Sequence, residues 1–202
     1  MTNRLSNFID THAGEKVIVC GCGTSLSLMK EVHHKFTTIG VNDVPKLFEP
    51  TYLVITDHSQ RFAPPRRKLV NESKCRAMFT CVKGWRNPKI SYFETGSKKL
   101  NHLDDPNKVD HFMNSPYVAV NIAYKMGFTK IGLIGVDFTD NHFYSKDGPH
   151  PLMRMKKIRQ VNEAYGILKS ELKRRDVDLY NLSQESKITN IPKITIEEFS
   201  KL

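Results

Sequence analysis

No stretch of the 202-residue chain is apolar over the roughly 18–20 residues needed to cross a bilayer, so no membrane span is expected. Met1 to Gly14 has no apolar core of the signal-peptide kind, and the cytoplasm is the expected location. Cysteine is scarce and unpaired in spacing. Cys20, Cys22, Cys75 and Cys81 form no CxxC, so buried free thiols are expected rather than a zinc site. Acidic residues are outnumbered, 21 Asp+Glu against 31 Lys+Arg, leaving a net charge of +10. That deficit points to an anionic partner: a nucleotide, a nucleic acid, a polyanionic glycan or an acidic membrane surface. Repeats and low-complexity tracts are missing too, which excludes a solenoid. The 39% hydrophobic residues fall in compact runs, which excludes disorder. One domain over residues 1–202 is expected, with a short lid at about 138–152.

Several catalytic signatures are also missing. The first glycine turn lacks the Lys-Ser/Thr ending of a P-loop, and no GxSxG elbow occurs. No DxD spacing follows a strand, which disfavours the usual metal-dependent transferase.

What is present opens as strand, glycine turn and helix. Lys16 to Cys20 is a β-branched run, Gly21-Cys22-Gly23-Thr24-Ser25 follows, and Leu26 to His34 reads as a helix. His33 and His34 fit as dipole partners at its end. Thr37 to Val41 and Tyr52 to Ile55 are continuous apolar runs, as in parallel strands covered on both faces. Strands are also expected at Arg76 to Val82 and Ile90 to Phe93, with a basic loop or helix start at Arg61 to Lys68. Gly96 to His111 reads as irregular. Ser115 suits an N-cap, with Pro116 the first helical residue and Gly127 an αL stop. Lys130 to Val136 is a strongly apolar strand, and this helix-strand unit is expected at the sheet's centre. Met153 to Arg175 shows one apolar stripe of Ile158, Val161, Tyr165, Leu168 and Leu172. A strand at Asp178 to Leu182 and a short helix from Ile196 close the chain.

The glycine turn can present backbone amides to a phosphate, aided by the following helix dipole. A dinucleotide fingerprint would need a third glycine where Leu26 stands. Thr24 and Ser25 add hydroxyls that suit either a phosphate or a helix cap. Asn42 lies about 20 residues past the glycines, where such folds read a ribose; an Asx turn with Asp43 is the alternative. Asp57, beside His58, fits a second ligand or a cap.

Val17 to Leu26, Ile39-Gly40-Val41-Asn42 and Ser115 to Phe138 together resemble bacterial CMP-sialic-acid-dependent sialyltransferases. They also resemble related proteins classed as glycosyltransferases or pyrophosphokinases. The matches cover about half the chain, in order; Pro116 replaces the family's glycine, and the lid is shorter. The resemblance implies an α/β, Rossmann-like, GT-A-like fold with a central, mainly parallel sheet. It implies transfer of a sugar from a nucleotide-sugar donor, CMP-linked, to an unknown acceptor, with no obligatory metal or other cofactor. Carried over by position, the resemblance places Gly23, Ser25, Asn42 and Ser115 at the donor; the glycine turn and strand ends add Gly21, Thr24, Asp43, Asp57 and Asp137 as expected donor contacts. The family uses a lid histidine as general base and lid tyrosines on the leaving phosphate; here these are His150, His142 and Tyr144. An imidazole pKa near about 6.5 suits that task. Homo-oligomerisation is implied as well. Two alternatives remain open. A Mg²⁺-dependent phosphoryl or pyrophosphoryl transferase would draw metal ligands from Asp43, Asp57 and Asp137. A nucleic-acid-associated or nucleic-acid-modifying protein would use Arg61 to Lys68 and Lys83 to Arg86.

Overall fold

In the computed structural model, residues 3–112, 114–139, 141–144 and 157–202 are described. Strand β1 (Lys16–Cys20) leads outward through β2 (Thr37–Val41), β3 (Tyr52–Ile55), β4 (Ala77–Thr80) and β5 (Ile90–Tyr92). The chain then returns to the other side of β1 with β8 (Lys130–Ile134) and ends at the edge with β9 (Asp178–Asn181). The order is β5-β4-β3-β2-β1-β8-β9, and every pairing is parallel. A second parallel pair, β6 (Glu94–Thr95) with β7 (Lys108–Val109), flanks the otherwise irregular 96–111 segment.

Alternation along each strand supplies both faces. Val17, Val19, Ile39 and Val54 pack with helices α2 (Ser115–Lys125) and α3 (Ile158–Lys173). Ile18, Cys20 and Ile134 pack on the opposite face against Leu26, Met29 and Phe199 of α4 (Ile196–Lys201). Leu53, Ile55 and Met78 meet Val70 of α1 (Pro64–Glu72). Both faces are therefore dry, as parallel sheets require. Val161, Tyr165, Leu168 and Leu172 are the buried stripe of α3, as their spacing predicted.

Three expectations change. Leu26 to His34 is not an α-helix but two 3₁₀ turns, Thr24–Met29 and His33–Lys35. Two serines and a threonine sit in the first turn, and the Ser27 hydroxyl bonds back to the Thr24 carbonyl, favouring tight local bonding over i→i−4 propagation. The N-cap of α2 is Asn114, whose side chain accepts from the Tyr117 amide; Ser115 is already helical. Strand β8 is interior but next to the edge, because only β9 lies beyond it. The described part of the long helix is Ile158–Lys173, and residues 145–156, with the start expected at Met153, lie outside the described residues.

Lys125, near the C-terminus of α2, is buried and donates to three carbonyls, those of His102, Leu103 and Asp105, at 2.7, 2.5 and 2.7 Å. It holds the 96–111 segment against the helix. Burial pulls its pKa down to about 8, opposed by the charges of Asp105, Asp110 and Asp104. Lys125→Met should cost about 2 kcal/mol at pH 7, because buried carbonyls lose their donor. Between pH 8 and the unfolded lysine pKa of about 10.4, the unfolded state binds more protons. The native chain should therefore gain stability as pH rises through that window, and Lys125→Met should lack the gain. Urea titrations at pH 7, 8 and 10 would show the gap between the two proteins widening.

Candidate functional site

The chain leaves β1 for β2 on one side and later enters β8 on the other. The connections therefore part above β1 and β8, and an open parallel sheet takes its ligand at such a switch point. A cavity of about 210 Å³ lies there, at the carboxyl ends of β1, β2, β3 and β8. The N-terminus of α2 faces it through Asn114, Ser115 and Pro116. Of the residues singled out from sequence, Gly23, Asn42, Asp57, Ser115, Asp137 and His142 line it.

Gly21, Thr24, Ser25, Asp43 and Tyr144 do not, and the structure shows what occupies several of them. The Gly21 amide donates to the Ile134 carbonyl and the Gly23 amide to the Gly135 carbonyl, both at 2.7 Å. The Ser25 amide donates to Asp137 Oδ2 at 2.8 Å, its hydroxyl donates to Asp137 Oδ1 at 2.6 Å, and the Gly135 amide donates to that hydroxyl. Thr24 Oγ1 adds a longer bond to Asp137 Oδ2. The reading of the turn as a phosphate cradle is corrected here. The Gly21 and Gly23 amides continue the β1–β8 ladder, and a buried carboxylate already caps the 3₁₀ turn that a phosphate would have capped. Asp137 is a fastener between the two strand ends that also borders the cavity.

Asp43 is likewise spoken for. It is buried, accepts from Arg66 Nε at 2.8 Å and pairs with a terminal guanidinium nitrogen at 2.7 Å. The Tyr144 hydroxyl donates to it at 2.9 Å. This is a bidentate fork, and the hydrogen bond to Asp43 raises the Arg66 pKa. Burial, then the charge of Asp43, raises the Tyr144 pKa. The Asx-turn alternative does not hold either: Asp43 makes no side-chain cap. Residues 141–144 form a strap across the glycine turn. His142 bridges to Gly23, the Phe143 amide donates to the Cys22 carbonyl, and the His142 ring stacks on Tyr144, which also carries Lys46 over its face. His150 lies outside the described residues. Burial pushes the Cys22 thiol up to about 12, so it is no nucleophile near neutrality.

Asp57 makes a 2.9 Å ion pair with Arg61, and the neighbouring 3₁₀ turn is capped by His58 instead. Among the described residues no three His, Cys, Asp or Glu side chains gather. Asp43, Asp57 and Asp137, the set that a Mg²⁺ reading required, are each engaged separately.

Three of the lining side chains keep hydrogen-bonding capacity unspent. Asn42, at φ +51°, has a buried Oδ1 without a hydrogen-bond partner among the described residues, and Thr139 Oγ1 is in the same state. Ser115 Oγ lies 2.8 Å from Thr56 Oγ1; that contact uses one of two hydroxyl hydrogens and leaves the other for a ligand. Phe138, also on the wall, is held at φ +53°, a conformation that costs on the order of 1 kcal/mol and that clusters at binding sites. Thr56 was read only as part of the strand end beside Asp57, and Asn114 and Thr139 were missed in the sequence. Only Asn114 left a signal, as a capping residue ahead of Ser-Pro.

No family model matches the chain, and no curated protein matches it. Solved structures do. The MAf glycosyltransferase from Magnetospirillum magneticum AMB-1 aligns over 96% of this chain with a TM-score of 0.60 at 12% identity. The match takes in 37% of that protein, so this chain spans well under half its length. The sialyltransferase CstII from Campylobacter jejuni, in complex with cytidine-5′-monophosphate, aligns over 91% of this chain and 86% of its own, with TM-score 0.55 and 15% identity. The sialyltransferase CST-II with a trisaccharide acceptor and CMP aligns over 90% and 86%, with TM-score 0.52 and 15% identity. The fold is sialyltransferase-like. At these identities the likeness concerns the fold, and the α/β, Rossmann-like expectation holds.

Proposed function

We propose that the switch-point cavity holds the nucleotide of a nucleotide-sugar donor, CMP-linked, and that the chain transfers the sugar to an acceptor hydroxyl. The observation that carries this reading is the Asn42 side chain. A buried, partnerless amide oxygen costs about 1–3 kcal/mol, so it is retained where a ligand donor satisfies it. Its place at the end of β2 suits a ribose hydroxyl or a base amine. Ser115, at the positive end of α2, suits the phosphate. That CstII structures are described with CMP and a CMP-linked sugar analogue supports the choice of nucleotide. His142, Tyr144 and His150 belong to the lid in this reading. Tyr144 reaches a donor phosphate only by leaving Asp43.

A thermal-shift series with CMP, CDP, UDP and ATP, with and without Mg²⁺, tests this. CMP at about 100 times its Kd should raise Tm by roughly 5 °C without metal. Asn42→Ala should abolish most of the shift. Stabilisation by ATP only with Mg²⁺ overturns the reading.

A further inference from the structure

The positive charge of the chain is concentrated in one stretch. Nine of the 31 Lys+Arg and one of the 21 Asp+Glu fall within residues 61–89, which alone carry +8 of the net +10. The stretch comprises α1, β4 and the loops beside them. Arg66 is spent on Asp43, Arg61 pairs with Asp57, and Lys68 stands 4.0 Å from Glu72. Glu49 reaches the end of α1, where it accepts from the Ser73 hydroxyl. Arg67, Lys74, Arg76, Lys83, Arg86 and Lys89 form no ion pair among the described residues. All six are exposed except the half-buried Arg67.

Packing holds these groups on one face. Trp85 meets Phe62 edge-on, with ring centroids 5.0 Å apart, and its Nε1 donates to the Asp57 carbonyl at 3.1 Å. The Arg86 amide donates to Asn71 Oδ1 at 2.9 Å. Asn87 Nδ2 donates to the carbonyls of Val70 and Ser73 at 3.2 and 2.9 Å, satisfying the C-terminal end of α1. Lys89 Nζ donates to the Lys74 carbonyl at 3.0 Å. The 83–89 loop therefore lies against the end of α1, and Arg67 stands one turn before Asn71 on the same side. Like charges so gathered repel one another, whereas a surface built for solubility intersperses the two signs. The arrangement suits a polyanion.

The rest of the face narrows the choice of polyanion. The exposed large apolar side chains are Leu28, Tyr144, Ile167 and Leu202, none of them in residues 61–89, so the face lacks the apolar half of a membrane-surface helix. Phe62 and Trp85 are buried, which leaves no ring on which unpaired bases could stack. The neutral polar side chains, Asn71, Ser73, Thr80 and Asn87, each bond a group of this chain, so none is set out to read a base edge or a 2′-hydroxyl. What remains is a set of cations, three of them guanidinium forks that match phosphate oxygens.

We propose that the face built by α1 and the 83–89 loop docks double-stranded DNA through its phosphate backbone, without regard to base sequence. None of the six unpaired cations lines the switch-point cavity, so the proposal stands apart from the donor reading.

Fluorescence anisotropy with the full chain and a labelled duplex of two helical turns tests it. At about 0.1 M salt a Kd on the order of 10 µM is expected, and log K should fall against log salt with a slope of about −5, as six phosphate contacts predict. The triple variant Lys74→Gln, Lys83→Gln, Arg86→Gln should bind about 100-fold more weakly, with a slope near about −3. Lys83→Gln alone should lower the slope by about 1. A second triple, Lys30→Gln, Lys35→Gln, Lys201→Gln, removes the same charge from exposed lysines elsewhere and should leave affinity within about 2-fold. Thermal midpoints of all the variants should match the native chain. Absence of salt-dependent duplex binding, equal losses in the two triples, tighter binding of a single strand or an RNA duplex, or binding of phosphatidylserine vesicles in place of DNA overturns the proposal.

Discussion

Gly21→Ala is expected to destabilise the chain by about 4 kcal/mol, seen as a fall in the urea midpoint and loss of CMP binding. A Cβ at Gly21 would lie 2.3 Å from the Gly135 carbonyl oxygen and 2.9 Å from its carbon. The obstacle is backbone, so no side chain can rotate away. Gly135, at φ +67°, makes the reciprocal approach, its own Cβ position falling 2.3 Å from the Gly21 oxygen. Relief requires β1 and β8 to part at their carboxyl ends. That motion also breaks the amide bonds of Gly21 and Gly23 and pulls Ser25 from Asp137. Two lost backbone bonds at about 1 kcal/mol each, added to the steric cost, give the magnitude. The same motion opens the floor of the switch-point cavity, so under the proposed function binding and stability should fall together. A variant that lost binding but kept its midpoint would instead place the turn in direct contact with ligand.

Arg66→Met should cost about 3 kcal/mol, through the partner it abandons. Asp43 is 1% exposed and would keep only the Tyr144 hydroxyl. Removing one member of a buried pair leaves a charge that must stay unpaired or take up a proton, typically at 3–5 kcal/mol; the lower end of about 3 applies because the Arg66 side chain is 33% exposed. Adding Asp43→Asn should recover a large part of the loss, since a neutral amide needs no guanidinium and can still accept from Tyr144. Denaturant midpoints of the two single variants and the double variant form the cycle. Additive losses would show that the two side chains are not coupled. The strap should respond to a third variant: Asp43→Ala offers no oxygen, so Tyr144 loses its acceptor, and backbone amide exchange at Phe143 should quicken.

Both predictions concern residues that the sequence marked for the wrong reason. The glycines, Ser25, Asp43 and Asp137 stand at strand ends, where an α/β sheet collects ligand groups. Pattern alone cannot tell a group that faces a ligand from one that faces another strand end. For Ser25 the difference is a partner 112 residues away, Asp137; for Asp43 it is Arg66, 23 residues away on a helix of which only a basic, proline-led start could be read. Asn42 and Ser115 were chosen by the same pattern, and their side chains remain available to the cavity. The 96–111 stretch read as irregular, and only the structure shows that it is tied to α2 through Lys125 and to itself through Asp110.

The sequence by itself determined the layers of this protein. Short, β-branched apolar runs between turn residues fit parallel strands dry on both faces, and the stripe of the long helix marks its buried side, because local periodicity and the cost of wetting apolar surface act residue by residue. Tertiary structure alone decided which polar groups are spent and which are left over. Hydrogen bonds saturate: once Asp137 takes Ser25 and Arg66 takes Asp43, those groups have little left to offer a ligand, whereas Asn42 Oδ1 and Thr139 Oγ1, in residues that line the same cavity, have no partner among the described residues.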